Sequence, residues 1–370
     1  MQRMARISIH HRDGYKCHIG IIIKTMKIDI LCTDGSPLGV SYSTLWGDKW
    51  QIGVGGAESS LLTLCEMWTK AGHKVCLYND PRELNASPFE QRAVSTFDPK
   101  ANRDILIVFR SPNPKAIVAN GLKIWFSCDQ YTNGDYGKFA PTMDKIICIS
   151  PHHADYFASN YGIKNTTVID LPVRVWDYDG LKIKKVPNRL IFTSIPERGL
   201  MNLRKIWAKL VFAVPDISLV ITSDYRLWGA YNSAMNERHR VSWLQQDNVQ
   251  FLGAIPRKRL IEEELKADLF PYSCVYEELF CISCAEAQYA GAYPVTSGKG
   301  ALATTNMGTI VPGDANECEF LNVFSDTIIK LLRDKEQLNI LQQEVKQRAL
   351  ERFHPDIIMK EWNKIFNDAK

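Results

Sequence analysis

No segment of this chain is apolar over the length that a bilayer crossing needs, so no membrane-spanning helix is expected. Blocks of like charge are missing as well. The formal net charge of +4 permits anionic partners without demanding them, and nothing announces a nucleic-acid arm. There is no low-complexity tract and no internal repeat. The first 25 residues hold only the short apolar "IGIII" and lack the h-region and cleavage site of a signal peptide. Residues 1–25 therefore read as an N-terminal extension outside the fold, with no function assigned.

Metal-ligand spacing is absent too. His10–His11 and His152–His153 are adjacent pairs, not the i, i+4 arrangement that puts two imidazoles on one helix face. "CISC", Cys281 to Cys284, has the spacing of a redox or zinc pair but no second pair, and reads as two core-facing thiols. Most of the ten cysteines lie in apolar segments such as "IDILC", "KVCLY" and "IICIS", where a free thiol behaves as a small hydrophobe. Without secretory context, that usage points to a reducing, cytoplasmic setting. No metal and no cofactor are expected.

What is present is a soluble globular composition, 45% apolar and 23% charged, over a length that suits two domains. From Met26 onward short apolar runs alternate with helical patterns. "KIDILC", "KVCLY", "DILIVF", "LKIWFS" and "KIICIS" read as buried strands. "GGAESSLLTLCEMWTKAGH" places Leu61, Leu62, Leu64, Cys65 and Trp68 at helical spacing, and Gly162 is set to end the helix "PHHADYFASNYG". Such alternation predicts an α/β fold with parallel sheets covered on both faces.

"VIDLPVRVWDYDGLKIKKVPNR", with two prolines and the clustered Lys182, Lys184 and Lys185, reads as a linker with solvated lysines. The alternation then restarts with "RLIFTS", "ISLVIT", "NVQFL", "DLFPY" and "AYPVTS" as strands. The chain closes on a helical segment broken at Pro355. Two doubly wound domains would face each other, with ligands in the cleft beyond the carboxyl ends of the strands.

Three loops on those strand ends carry chemistry. In "GVGGAES", Gly55 and Gly56 allow close backbone approach, and the helix start beyond them offers N–H groups to an anion. In "TSIPERGL", Arg198 follows Thr193–Ser194 just before a helix near Gly199; it suits a diphosphate, or pairs with a neighbouring carboxylate. In "EELFCISCAEAQYAG", Glu278 stands at the sheet's edge, and a helix beginning near Leu279 aims N–H groups into the cleft. Glu286 falls about two turns deeper, among Cys284, Ala285 and Ala287. A carboxylate there is costly to bury alone, and sugar or ribose hydroxyls would satisfy it.

Seven residues separate Glu278 from Glu286, and that spacing resembles the E-x7-E signature of retaining glycosyltransferases of family 4, which have the GT-B fold. "GGAE", "SIPERGL", "NVQFLGAIP" and "RFHPDIIMKEW" resemble the family's other landmarks in the expected order, from about Met26 to the C-terminus. The resemblance implies a nucleoside-diphosphate sugar as donor. Glu278 would contact the donor sugar, and Glu286 the ribose. Arg198 would hold the diphosphate, with Ser194 beside it and backbone N–H groups of Leu279 and Phe280. Gly55 and Gly56 would line the phosphate side, and Ala254 and Ile255 would border the base. It implies domains at 26–172 (acceptor side) and 173–353 (donor side), with a helix at 354–370 crossing back to the first.

Three departures stand out. The family's second cation is replaced by Thr193, with Arg204 or Lys299 as possible compensation, and a common Glu is replaced by Thr304. Where many members have a His, this chain has "CDQY", which makes Asp129 a candidate acceptor-side base or orienting group; the plain alternative is a turn Asp. The expectation is a metal-independent, retaining transfer to an acceptor hydroxyl on a glycan or glycoconjugate, by front-face attack with the leaving phosphate taking the proton. Two other readings stay open: a hydroxylated base in DNA as acceptor, and a non-catalytic nucleotide-sugar binder. Peripheral membrane contact is also left open, and the aromatics of "LGVSYSTLWGDKWQ" could stack on a sugar or simply pack.

Overall fold

The computed structural model describes residues 25–33, 41–46, 53–82, 87–228 and 233–368. Most of the N-terminal extension, and residues 38–40 and 47–51 of the aromatic loop, lie outside them. The first sheet has seven strands, all parallel: β1 (Lys27–Cys32), β2 (Lys74–Tyr78), β3 (Glu90–Arg92), β4 (Ile105–Phe109), β5 (Leu122–Phe126), β6 (Lys145–Cys148) and β7 (Thr167–Val168). Their spatial order is β3-β2-β1-β4-β5-β6-β7. The second sheet holds β8 (Arg189–Phe192), β9 (Ser218–Ile221), β10 (Val249–Phe251), β11 (Leu269–Tyr272), β12 (Tyr293–Ser297) and β13 (Thr309–Val311), in the order β10-β9-β8-β11-β12-β13.

The central strands are apolar without alternation because both faces are covered. In β4, Ile105 and Ile107 pack on the side of Trp68 and Trp362, while Leu106 and Val108 pack on the side of Trp125 and Phe157. Strands β3, β7 and β13 escaped the sequence pattern. Each has three residues or fewer and lies at a sheet edge, too short and too polar to show a periodicity.

The helix Pro151–Tyr161 shows how local signals set boundaries. The Ser150 side chain accepts the His153 N–H at its start, and Gly162 at φ +68° ends it. Cys318–Arg333 buries Phe320, Phe324, Ile328 and Leu332, one residue per turn, against the second sheet.

The segment read as a linker is pinned instead. Val173 N–H donates to Phe353 O at 3.0 Å, and Arg174 and Asp177 are buried. Composition misled because charges and prolines look alike whether solvated or buried. Lys185 is a second correction: its Nζ donates to Ala267 O at 2.5 Å, and burial lowers it to about 8. Lys182 and Lys184 are exposed.

After the break at His354–Pro355, the helix Pro355–Phe366 packs on the first sheet's side. The Trp362 ring meets Trp68 edge-on at 5.1 Å and Phe126 at 5.4 Å, and Phe366 adds His73 at 5.8 Å. Truncating a tryptophan buried this way costs about 3–5 kcal/mol, so the last helix ties the two halves together. Among the described residues no helix is long and apolar enough to cross a membrane.

Candidate functional site

The carboxyl ends of both sheets open on one cleft. Its second-sheet wall begins where β8 stops. Thr193 and Ser194 follow, then a single 3-10 turn, Pro196–Arg198, closed by Gly199 at φ +119°. A Cβ on Gly199 would lie 2.4 Å from Ser273 O, so only glycine permits this turn. The turn aims Arg198 at Glu278: Nη1 is 2.9 Å from Oε1 and 3.1 Å from Oε2. Tyr272 donates its hydroxyl to Glu278 Oε1 at 2.6 Å and is bonded in turn to Ser194 Oγ at 3.0 Å. The guanidinium also lies over the Tyr276 ring, 4.3 Å from its centre. Burial alone would pull Arg198 down, but the Glu278 carboxylate and the neighbouring tyrosines hold it above its ordinary value.

The following helix runs Ile282–Tyr289, after Cys281 at φ +69°. It starts three residues later than the sequence pattern indicates, because the left-handed Cys281 keeps Leu279 and Phe280 out of it. Those two line the cleft in a bend before the helix, and Glu286 stands one turn inside the helix, not two. Its carboxylate is not alone: Oε1 is 2.6 Å from Arg257 Nη2.

The first-sheet wall is built from the loops after β1, β4 and β5. Gly55 and Gly56 line it, and the helix Gly56–Lys70 begins there. A Cβ on Gly56 would fall 2.7 Å from Ile282 Cγ2, so the glycines let this loop press against the opposite wall. Asp129 lies past β5, with Oδ2 2.5 Å from Arg110 Nε. Arg110 Nη1 reaches Glu58 Oε1 at 2.6 Å. Arg110 has φ +63°, and its carbonyl accepts the Trp125 indole N–H at 2.8 Å. Burial pushes the Glu58 carboxyl up, with Arg110 opposing it.

Ser194, Arg198, Ile255, Glu278, Glu286 and Asp129 thus share one cleft with the two glycines. Ala254 does not line it. It is buried, and its N–H donates to Asp224 Oδ2 at 3.4 Å. Neither residue considered as compensation for Thr193 reaches the cleft. Arg204 Nε donates to Ser242 O at 3.3 Å, and Lys299 Nζ lies 3.5 Å from Glu277. Among the described residues the cations that do line it, besides Arg198, are Arg110 and Arg257, which the sequence reading missed. Each had a signal. Arg110 directly follows a strand at its carboxyl end. Arg257 opens the helix Arg257–Lys266, where the helix dipole disfavours a cation and another partner must hold it.

The thiols Cys281 and Cys284 are free and buried in the second-sheet core, and Cys281 also lines the cleft. Among the described residues no group of three or more His, Cys, Asp or Glu could hold a metal ion. An arrangement of two carboxylates, each beside a guanidinium and backed by a strand-end loop, is suited to a ligand carrying both hydroxyls and phosphate.

Residues 194–348 match the family model described as glycosyl transferases, group 1. That segment runs from Ser194 through Arg198, Arg257, Glu278 and Glu286, the whole second-sheet wall. A curated relative from Bacillus subtilis (strain 168), the uncharacterized glycosyltransferase YqgM, is 25% identical over 217 residues. The match spans 56% of this chain and 57% of that protein. A glycosyltransferase from Rickettsia africae ESF-5 superposes with a TM-score of 0.70 at 13% identity, over 94% of this chain and 99% of that one. Anabaena Alr3699/HepE in complex with UDP and glucose superposes with a TM-score of 0.67 at 15% identity, over 93% and 100%. The architecture is that of the GT-B glycosyltransferases: two parallel, helix-covered sheets across a cleft.

Proposed function

We propose that this chain is a retaining glycosyltransferase that moves a sugar from a nucleoside-diphosphate sugar to an acceptor hydroxyl of a glycan or glycoconjugate, in the cytoplasm and without a metal. The observation that carries the reading is the second-sheet wall, where Glu278 with Arg198 and Glu286 with Arg257 face one cleft within the group 1 segment. Glu278 accepts hydrogen bonds from the donor sugar, and Glu286 from the ribose. Arg198 meets the diphosphate, joined by backbone N–H groups around Leu279 and Phe280. The free thiols support a reducing compartment.

In the reaction the acceptor oxygen bonds to the anomeric carbon while that carbon's bond to the β-phosphate oxygen breaks. The acceptor proton passes to the leaving phosphate on the same face. Negative charge grows on the diphosphate, beside Arg198 and the start of the Ile282–Tyr289 helix. Preorganised charge of this kind commonly dominates catalysis. Asp129, fixed by Arg110, orients the acceptor hydroxyl from the first wall.

A panel of nucleotide sugars, led by UDP-glucose, tests this by thermal shift and by release of free nucleotide. A donor that binds only the folded chain raises its melting point. The expected result is one donor that stabilises the protein and is turned over, giving a product with the donor's anomeric configuration. Glu286→Ala should then lose most of the stabilisation. An unchanged shift in Glu286→Ala would reject the ribose role, and no response to any donor would reject the whole reading.

A further inference from the structure

Glu286 lies on a helix whose own neighbours, Cys284, Ala285 and Ala287, offer it no charge. Its counter-charge arrives from another element, and that residue is itself held from behind. We propose that Arg257 is the positioning residue for the nucleotide's ribose, fixed by a buried chain of alternating charges that begins on the first-sheet helix. The inference deepens the proposed function and rests on its assignment of Glu286 to the ribose.

The chain has five members. Glu66 Oε2 is 2.9 Å from Arg174 Nη1, and Arg174 Nε is 3.1 Å from Asp177 Oδ2. The same Asp177 oxygen accepts from Arg257 Nε at 2.9 Å, and Arg257 Nη2 lies 2.6 Å from Glu286 Oε1. Side-chain exposures run 6%, 2%, 0%, 7% and 8% from Glu66 to Glu286, so the contacts are largely shielded from bulk water. Arg257 and Glu286 line the cleft, whereas Asp177, Arg174 and Glu66 do not.

Three features separate this chain from a device that only stabilises the fold. Buried ion pairs are seldom worth more than apolar packing of the same volume, so four in series are an expensive route to stability. Arg257 sits in the first turn of its helix, where the dipole opposes it. Above all, its guanidinium is a rigid plane, and two of its nitrogens are committed to different carboxylates. Fixing Nε on Asp177 therefore fixes where Nη2 presents itself to Glu286. Among the described residues Oε1 of Glu286 has the ion-pair partner, and Oε2 is the oxygen left for the ribose hydroxyls. At the far end, Glu66 belongs to the helix that starts at Gly56, so the ribose site is referenced to the opposite wall.

The test compares two ligands on each protein: the tightest binder among UDP, GDP and ADP, and its 2′,3′-dideoxy counterpart, which lacks the ribose hydroxyls. Calorimetry should show the wild type preferring the hydroxylated form, since a site built to bond a hydroxyl rejects the analogue without it. Asp177→Asn keeps its side chain clear of the cleft. It should weaken binding of the hydroxylated diphosphate by about tenfold and leave the dideoxy form at its wild-type affinity. Equal weakening of both ligands overturns the inference while leaving the ribose reading intact. A wild type that binds both ligands equally overturns the ribose reading, and the inference with it. Should Asp177→Asn fail to fold, Arg257→Lys carries the same comparison, because an ammonium keeps the charge but has no fixed fork for two carboxylates.

Discussion

Across the cleft the two walls share out their cations differently. On the second-sheet wall Arg198 pairs with Glu278 and Arg257 with Glu286, one guanidinium for each carboxylate that lines the cleft, with Arg257 also held from behind by Asp177. On the first-sheet wall Arg110 is divided between Glu58 and Asp129. The first arrangement is balanced and rigid, fit to hold a ligand whose charge grows during reaction. The second carries an excess of carboxylate around a half-buried Asp129, fit to accept from a neutral hydroxyl. In the proposed reading, the diphosphate therefore goes to the second-sheet wall and the alcohol to the first-sheet wall.

The sharpest way to break this assignment is to remove the cation that should meet the diphosphate. Arg198→Ala is expected to lower turnover by about 10²–10³-fold, the usual effect of deleting one preorganised charge partner at a transition state. Binding of a nucleoside diphosphate should fall with it, while binding of the free nucleoside stays unchanged. Initial-rate kinetics and calorimetry with both ligands check this. If nucleoside binding falls as far, the loss is not specific to the phosphates and the diphosphate belongs elsewhere.

A smaller effect is expected from the other wall. Asp129→Asn keeps its size but weakens the pairing with Arg110, 2.5 Å away. Transfer to the acceptor should slow about tenfold, with slow hydrolysis of the donor by water unaffected, because that reaction needs no oriented acceptor. Measuring both reactions on one preparation decides the matter. Equal losses would move Asp129 to the donor side and erase the contrast between the walls.

The second wall was the more legible in the sequence, for a physical reason. Glu278 and Arg198 lie on strand-to-helix connections whose flanking apolar rhythm marks them, and Glu286 follows one turn into the next helix, so the two acids sit within one short segment. Arg257 lies 29 residues from Glu286, and its other partner, Asp177, is 80 residues away, so neither pairing leaves a periodic trace. The pinned segment around Arg174 was misread for the converse reason: buried charges have the composition of a solvated linker. Cys281 shows how one backbone angle shifts a boundary, since a left-handed residue delays the helix that its apolar neighbours would otherwise begin. What stays hidden from sequence is which distant charges meet, and here that includes Arg110 and Arg257, two of the three cations found lining the cleft among the described residues.

Behind the second wall, Glu264 is paired with no guanidinium among the described residues, and it provides the mildest test of the balance. Glu264 is buried, bonded at Oε2 by the Tyr178 hydroxyl at 2.6 Å, with Glu286, Arg257 and Asp177 as its charged neighbours. Burial first, and the Glu286 charge second, push it up to about 8. The folded chain therefore keeps a proton that the unfolded chain, with an ordinary carboxyl near 4.5, gives up. Its contribution to stability is complete below the ordinary value and drains away as pH rises through about 8. Glu264→Gln mimics the protonated form and has nothing to release. Between pH 5 and 8 the wild type should lose roughly 2–4 °C of melting temperature relative to this variant, with other titrations cancelling in the difference. Parallel curves would mean that Glu264 is ionised in the folded protein. The second wall would then carry an unmatched charge, and the contrast with the Arg110 cluster would disappear.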